Sequence, residues 1–216
     1  KMLLTLNNKE YTIPSKWSQV TISSYQKFML NYDDKQDDYT KTLNTISAFI
    51  GVPFADLEKC KKSDIDKVDE VLAKLLQDKT NEELNLVFII NDKEYGFHPN
   101  LQELTFAEFV DLDNYLKEPI KNLHLVMGVL YREIVKKKKD KYTIVDYDST
   151  QCIKNAKLFK DNLSVSTVQG ASTFFLTIGK ELQKSLQLSS NKQQNKMKKI
   201  YKQKKSNLVT SGVGIV

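Results

Sequence analysis

The sequence predicts an α+β fold, mostly helical, made of two duplicated β-hairpin-plus-helices modules with an extended basic C-terminal tail. Three observations carry that prediction. Residues 3–31 lie on residues 87–115 without a gap, at a constant offset of 84. Each copy opens with short β-prone runs around turn residues and then changes to apolar residues three and four apart. The lysines that make the chain basic gather behind the last apolar helical pattern.

In the aligned copies Asn7, Lys9, Glu10, Tyr11 and Thr21 meet Asn91, Lys93, Glu94, Tyr95 and Thr105. The pairs Ile13/Phe97, Trp17/Leu101, Val20/Leu104, Ile22/Phe106, Tyr25/Phe109 and Phe28/Leu112 keep apolar character. Residues 3–6 and 10–13 flank Asn7, Asn8 and Lys9 and predict a hairpin. Residues 89–91 and 94–97 around Asp92 and Lys93 predict its copy. Pro14 and Pro99 lead into short loops that end at Thr21 and Thr105, each placed as a helix N-cap. Thr105 with Glu108 has the form of a capping box. Helices follow over 22–31 and 106–116. Trp17 precedes the first cap and is read as packing that loop onto the core.

Segments 42–51 and 122–131 share an apolar rhythm at an offset of 80 and predict buried helices. In the first half a helix from Ser63 comes next, with Ile65, Val68, Leu72 and Leu75 on one stripe. In the second half residues 133–135 and 142–145 flank a KKKKDK run and predict an inserted hairpin over 132–147. Helices near 150–161 and 165–188 complete that half. The organisation expected is a first module over 1–82, a second over 83–189 and a basic tail over 190–216.

A chain of 216 residues buries a substantial core. No apolar run approaches the roughly 18–20 residues that span a bilayer, so no membrane partner is expected. The opening residues run straight into strand-like sequence, with no signal-peptide pattern. Cys60 and Cys152 are the only cysteines and form neither a disulfide framework nor zinc spacing. The net charge is +6, whereas residues 190–216 alone carry seven lysines and no acid, so the body is near neutral. That distribution argues against a nucleic-acid-binding body and points to the tail.

Few residues suggest chemistry. His98 sits in a hairpin-exit loop and His124 in an apolar helix, and neither has a nucleophile at motif spacing. The acids Asp33, Asp34, Asp37 and Asp38 lack the glycine and the twelfth-position glutamate of a calcium loop and read as a solvated linker. Asp111 and Asp113 lie two apart on a helix and point to different faces. Asp146 and Asp148 read as caps of the next helix. Residues 136–139 form a basic hairpin tip, read as a solvated turn. No catalytic residue, metal site, cofactor or small-molecule substrate is expected.

The tail is the candidate partner-binding segment. Lys192, Lys196, Lys198, Lys199, Lys202, Lys204 and Lys205 surround an apolar turn of Ile200 and Tyr201, and Leu208 and Val209 open an uncharged end. Such a segment buries too little apolar surface to order itself alone and is expected to order on a partner. Its lysines suit an acidic protein neighbour or a nucleic-acid backbone.

The residues Ile90 to Tyr95 followed by Leu104 to Phe109, with a weaker first copy at Leu6 to Tyr11 and Val20 to Tyr25, resemble a pattern found in small proteins of tailed bacteriophages. The pattern is similar to that of tail assembly chaperone-like proteins, where a hairpin with a KEY turn precedes an LTFGE-type helix start. The layout also resembles uncharacterised structural proteins of phages infecting Bacteroidetes-type hosts. This chain departs from the chaperone pattern in its duplication and its basic tail. The resemblance implies a non-enzymatic virion protein of the tail or neck, in the virion or the host cytoplasm. It would act by contact with other virion proteins, as structural component or assembly chaperone. The alternative is a nucleic-acid-associated phage protein whose lysine tail holds DNA.

Overall fold

The computed structural model describes residues 2–6, 9–78, 83–139 and 141–170. Within them the order is β1 (Met2–Leu6), β2 (Lys9–Ile13), α1 (Ile22–Asn31), α2 (Asp38–Ile50), α3 (Phe54–Leu57) and α4 (Lys62–Gln77). Then come β3 (Val87–Ile90), β4 (Lys93–Phe97), α5 (Phe106–Tyr115), α6 (Leu123–Leu130), β5 (Tyr131–Lys138), β6 (Lys141–Ile144) and α7 (Ser149–Asn162). The fold is α+β, and none of its described helices is long and apolar enough to cross a membrane. The described residues all belong to one compact unit.

The repeat is realised element by element. β2 and β4, the single 3-10 turns at Trp17–Gln19 and Leu101–Glu103, and α1 and α5 all begin and end 84 residues apart. Strand register is shared too: Leu3 faces Thr12 as Val87 faces Gly96, and Leu6 faces Lys9 as Ile90 faces Lys93. Both threonines cap as expected. Thr21 Oγ1 accepts the Ser24 amide at 3.2 Å and Thr105 Oγ1 accepts the Glu108 amide at 3.3 Å. Only the second copy closes the capping box, because only Glu108 can return a carboxylate to the Thr105 amide, at 2.6 Å. The turn of the second hairpin falls on Asn91 and Asp92, one residue earlier than expected. Both have positive φ, 50° and 61°, as a two-residue type I′ loop requires.

The copies diverge after α1 and α5. In the first half α2 ends at Gly51, whose φ of 75° forms a left-handed C-cap that few other residues tolerate. A short α3 and the long α4 follow and close over the hairpin. Ile13, Val20, Leu43, Ile46, Phe49, Val68, Leu72 and Leu75 form the core there, joined by Val165 from the far end of the chain. Trp17 packs edge-on against Tyr25 and Phe49 and donates its Nε1–H to the Asp78 carbonyl at 3.1 Å. It packs the loop onto the core as expected, but its indole is half-buried, not enclosed.

In the second half α6 runs directly into β5, and the inserted hairpin is present. Its extent differs from expectation: Lys136, Lys137 and Lys138 belong to β5, so the basic run is mainly strand and not turn. β5 also pairs with β4, Gly96 opposite Arg132, to make one antiparallel sheet in the order β3-β4-β5-β6. The first hairpin stays two-stranded. Phe88, Tyr95, Phe97, Tyr131 and Phe159 fill the second core with ring centroids 4.8–5.7 Å apart. α6 and α7 cross closely because Gly128 faces the Cys152 carbonyl, where a Cβ would sit 2.5 Å from the oxygen. Cys60 and Cys152 are both free thiols. Helix 165–188 is described only through Gly170.

Candidate functional site

The repeat makes α1 and α5 two versions of one surface, and their environments differ. On α1, Ile22 is 0% exposed and Gln26 4%. The cover comes from the second half of the chain. Thr21 and Ser164 form an antiparallel bridge, in which the Ile22 amide donates to the Leu163 carbonyl at 3.0 Å and the Val165 amide to the Val20 carbonyl at 2.8 Å. Gln26 Nε2 donates to the carbonyls of Ile120 and Lys121 at 2.6 and 2.7 Å, and the His124 ring stands 3.2 Å away. Burial and the charge of Lys160 hold the His124 imidazole below its ordinary pKa, so it is a neutral contact at this junction.

On α5 the equivalent positions are Phe106, Phe109 and Val110, and they are 83%, 59% and 37% exposed. No bridge equivalent to that of Thr21 meets Leu104 or Phe106 among the described residues. An apolar stripe at positions i, i+3 and i+4 therefore faces outward. Around it lie Glu103, Asp113 and Glu118, of which Asp113 pairs with Lys117 and Glu118 with Lys121.

The opposite face of α5 is clamped by buried charge. Glu108 is 1% exposed and its Oε1 accepts from Arg132 Nη2 at 2.5 Å. His98 Nε2 lies 3.5 Å from the same oxygen, while His98 Nδ1 accepts the Asn100 amide at 3.3 Å. Burial first, and the Arg132 charge after it, depress the His98 pKa against the pull of Glu108. Arg132 also sits 5.8 Å over the Tyr147 ring, and the Tyr147 hydroxyl donates to Asp111 on α5. Cys152 lies in the same field, and burial pushes its thiol up to about 11. A thiol held protonated and an imidazole bonded to backbone make no nucleophile–base couple. What the set does is fix α5 to β5, so that the outward stripe is carried on a rigid element.

The remaining sequence candidates have local structural duties. Asp37 caps α2 by accepting the Thr40 amide and hydroxyl at 2.9 and 2.7 Å, bonds that lower its pKa. Asp33 accepts the Lys35 amide in the preceding turn. Asp148 caps α7, accepting the Gln151 amide at 2.8 Å. Asp111 and Asp113 diverge as expected, one toward Tyr147 and one toward Lys117. On the basic hairpin, Lys137 pairs with Glu94 of β4 at 2.7 Å, which tempers its field. A dent lined by Phe28, Tyr32, Lys41 and Asn44 encloses about 210 Å³, part of it open solvent.

The tail residues Lys192, Lys196, Lys198, Lys199, Ile200, Tyr201, Lys202, Lys204, Lys205, Leu208 and Val209 lie outside the described residues. Sequence reasoning missed the α5 stripe because it matched Phe106 to Ile22 and Phe109 to Tyr25 as apolar pairs. The available signal was the breadth of the pattern: apolar residues at 106, 109, 110 and 112 are spread over more than one helix face. No protein-family model, no curated protein and no solved structure matches the chain.

Proposed function

We propose that the chain is a non-enzymatic protein of a tailed phage, working through protein–protein contacts in the tail or neck, as a structural component of the virion or as its assembly chaperone. The observation that carries this reading is the outward stripe of Phe106, Phe109 and Val110; Ile22 and Gln26, the first-copy counterparts of Phe106 and Val110, are covered by protein. Large exposed apolar groups on a rigid helix mark a protein-binding surface. The phage assignment is supported by the hairpin with its KEY turn and the LTF-x-E helix start, present in full at residues 90–109. Mass spectrometry of purified particles and of assembly intermediates from infected cells tests it. Stoichiometric presence in particles assigns a component, and presence only in intermediates assigns a chaperone. Absence from both overturns the reading.

A second reading, attachment to nucleic acid, is favoured by the seven lysines and absence of acid in residues 190–216. Binding of this kind weakens along a linear log–log salt slope set by the number of phosphate contacts. A DNA titration of the full chain against a variant with neutral residues at Lys198, Lys199, Lys204 and Lys205 decides it. Equal affinities, or no salt dependence, exclude it.

A further inference from the structure

We propose that the α5 stripe is the docking site for the C-terminal segment of a second copy of this chain, so that copies join head to tail. The inference rests on the proposed function's reading of that stripe as a protein-binding surface, and it names the partner. The internal repeat shows what such a site accepts. In the first copy the backbone at this place is met by Ser164, which makes an isolated antiparallel bridge to Thr21 between α7 and the helix that starts at Val165. That crossing offers the Leu163 carbonyl to the Ile22 amide and the Val165 amide to the Val20 carbonyl. The second copy presents the same backbone groups, at Phe106 and Leu104. A first-turn amide has no acceptor inside its own helix, so the Phe106 N–H is available to a strand.

An occupant must carry apolar side chains and be free of proline and of charged side chains where it crosses the stripe. The sequence of residues 208–216, LVTSGVGIV, meets these requirements. Charge points to the same segment. Glu103, Asp113 and Glu118 lie beside the stripe, the last two paired with Lys117 and Lys121, and the residues just before Leu208 carry seven lysines without an acid. Opposite charge on the two surfaces steers association and fixes orientation. Phe106 and Phe109 replace the smaller or more polar contacts of Ile22 and Tyr25 and supply the aromatic anchors typical of a binding centre.

A copy whose own α5 is filled still presents its own tail, so the contact is heterologous and propagates. Sedimentation of the full-length chain over a concentration series tests this, using the wild type, a Phe106→Asp/Phe109→Asp face variant and a Leu208→Asp/Val209→Asp tail variant. The wild type should associate, more weakly as salt rises. Each variant alone should associate about tenfold more weakly or less, with an unchanged melting curve. The face variant keeps its tail and the tail variant keeps its face, so an equimolar mixture should form pairs and stop there. A wild type that stays monomeric at every concentration, with the tail docked on its own chain or nowhere, overturns the proposal. So does a tail variant that associates like the wild type, which assigns the stripe to another surface. Either result leaves the phage reading to the particle analysis, which does not depend on copies binding one another.

Discussion

The first and second copies of the hairpin–helix module share strand register, a capping threonine and helix length, yet they bury their helices in different ways. α1 is held from outside: the bridge at Ser164 and the carbonyls of Ile120 and Lys121, from the far half of the chain, lie over Ile22 and Gln26. α5 is held from beneath, by the Glu108–Arg132 pair and the Tyr147–Asp111 bond, and its outer face stays open. The difference follows from a few residues. Glu108 replaces Ser24 and brings a buried charge that pairs with Arg132 on the inserted hairpin. Phe106 and Val110 replace Ile22 and Gln26 and face outward. A duplicated module is thus divided between stability in one copy and contact in the other.

The comparison breaks most visibly at Glu108. Glu108→Ala removes the carboxylate half of the capping box and leaves the Arg132 guanidinium buried without its partner. Removing one member of a buried pair costs about 3–5 kcal/mol. The equivalent Ser24→Ala should stay within about 0.5 kcal/mol, because Ser24 contributes mainly its amide to the cap. Urea denaturation of both variants checks the contrast. Equal losses would mean that α5 is not held by its buried charge.

The next largest difference lies on the outer faces. Ile22→Ala opens a cavity in a fully enclosed site and should cost about 2–5 kcal/mol. Phe106→Ala removes a larger side chain from an exposed one and should change the stability of dilute, unassociated chain by no more than about 0.5 kcal/mol. If Phe106→Ala destabilises the dilute chain as much as Ile22→Ala, the stripe is core and not contact surface.

These contrasts show where sequence reasoning succeeds and where it stops. The hairpins, caps and helix limits were legible because each depends on local chemistry: Asn and Asp in turns, Thr at caps, apolar spacing along helices. The inserted hairpin was legible for the same reason, from β-prone runs on both sides of the lysines. Which face of a helix is covered depends on what folds back over it. Phe106 and Ile22 are the same kind of letter, and nothing near either one announces that residues 163–165 return to cover only Ile22. The pairing of β5 with β4 is equally non-local, and it turns Arg132 inward to Glu108, which reads in the sequence as half of a capping box and no more. The candidate site divides along the same line. The tail was legible through composition alone, whereas the α5 stripe required the fold.

The smallest effect expected separates the copies by pH. His98 follows the second hairpin, where the first copy has Pro14. Its neighbours are Glu108 and Arg132 beside the ring, Glu103 near it and the Asn100 amide on Nδ1. Burial, the largest influence, holds the folded imidazole below its ordinary value of about 6.5. The unfolded chain therefore takes up this proton at a higher pH than the folded one. By linkage, the stability that neutral His98 supports is complete above about pH 6.5 and is lost as pH falls through that value toward the folded pKa. His124 acts in the same direction at the Gln26 junction, so the wild type alone cannot separate the two. His98→Asn keeps a polar group for the Asn100 amide and removes the titration. The unfolding free energy of this variant should fall less steeply than that of the wild type between about pH 6.5 and 5. Parallel curves would mean that the imidazole charges freely beside Glu108, and the second copy would then lack the pH sensitivity assigned to its buried cluster.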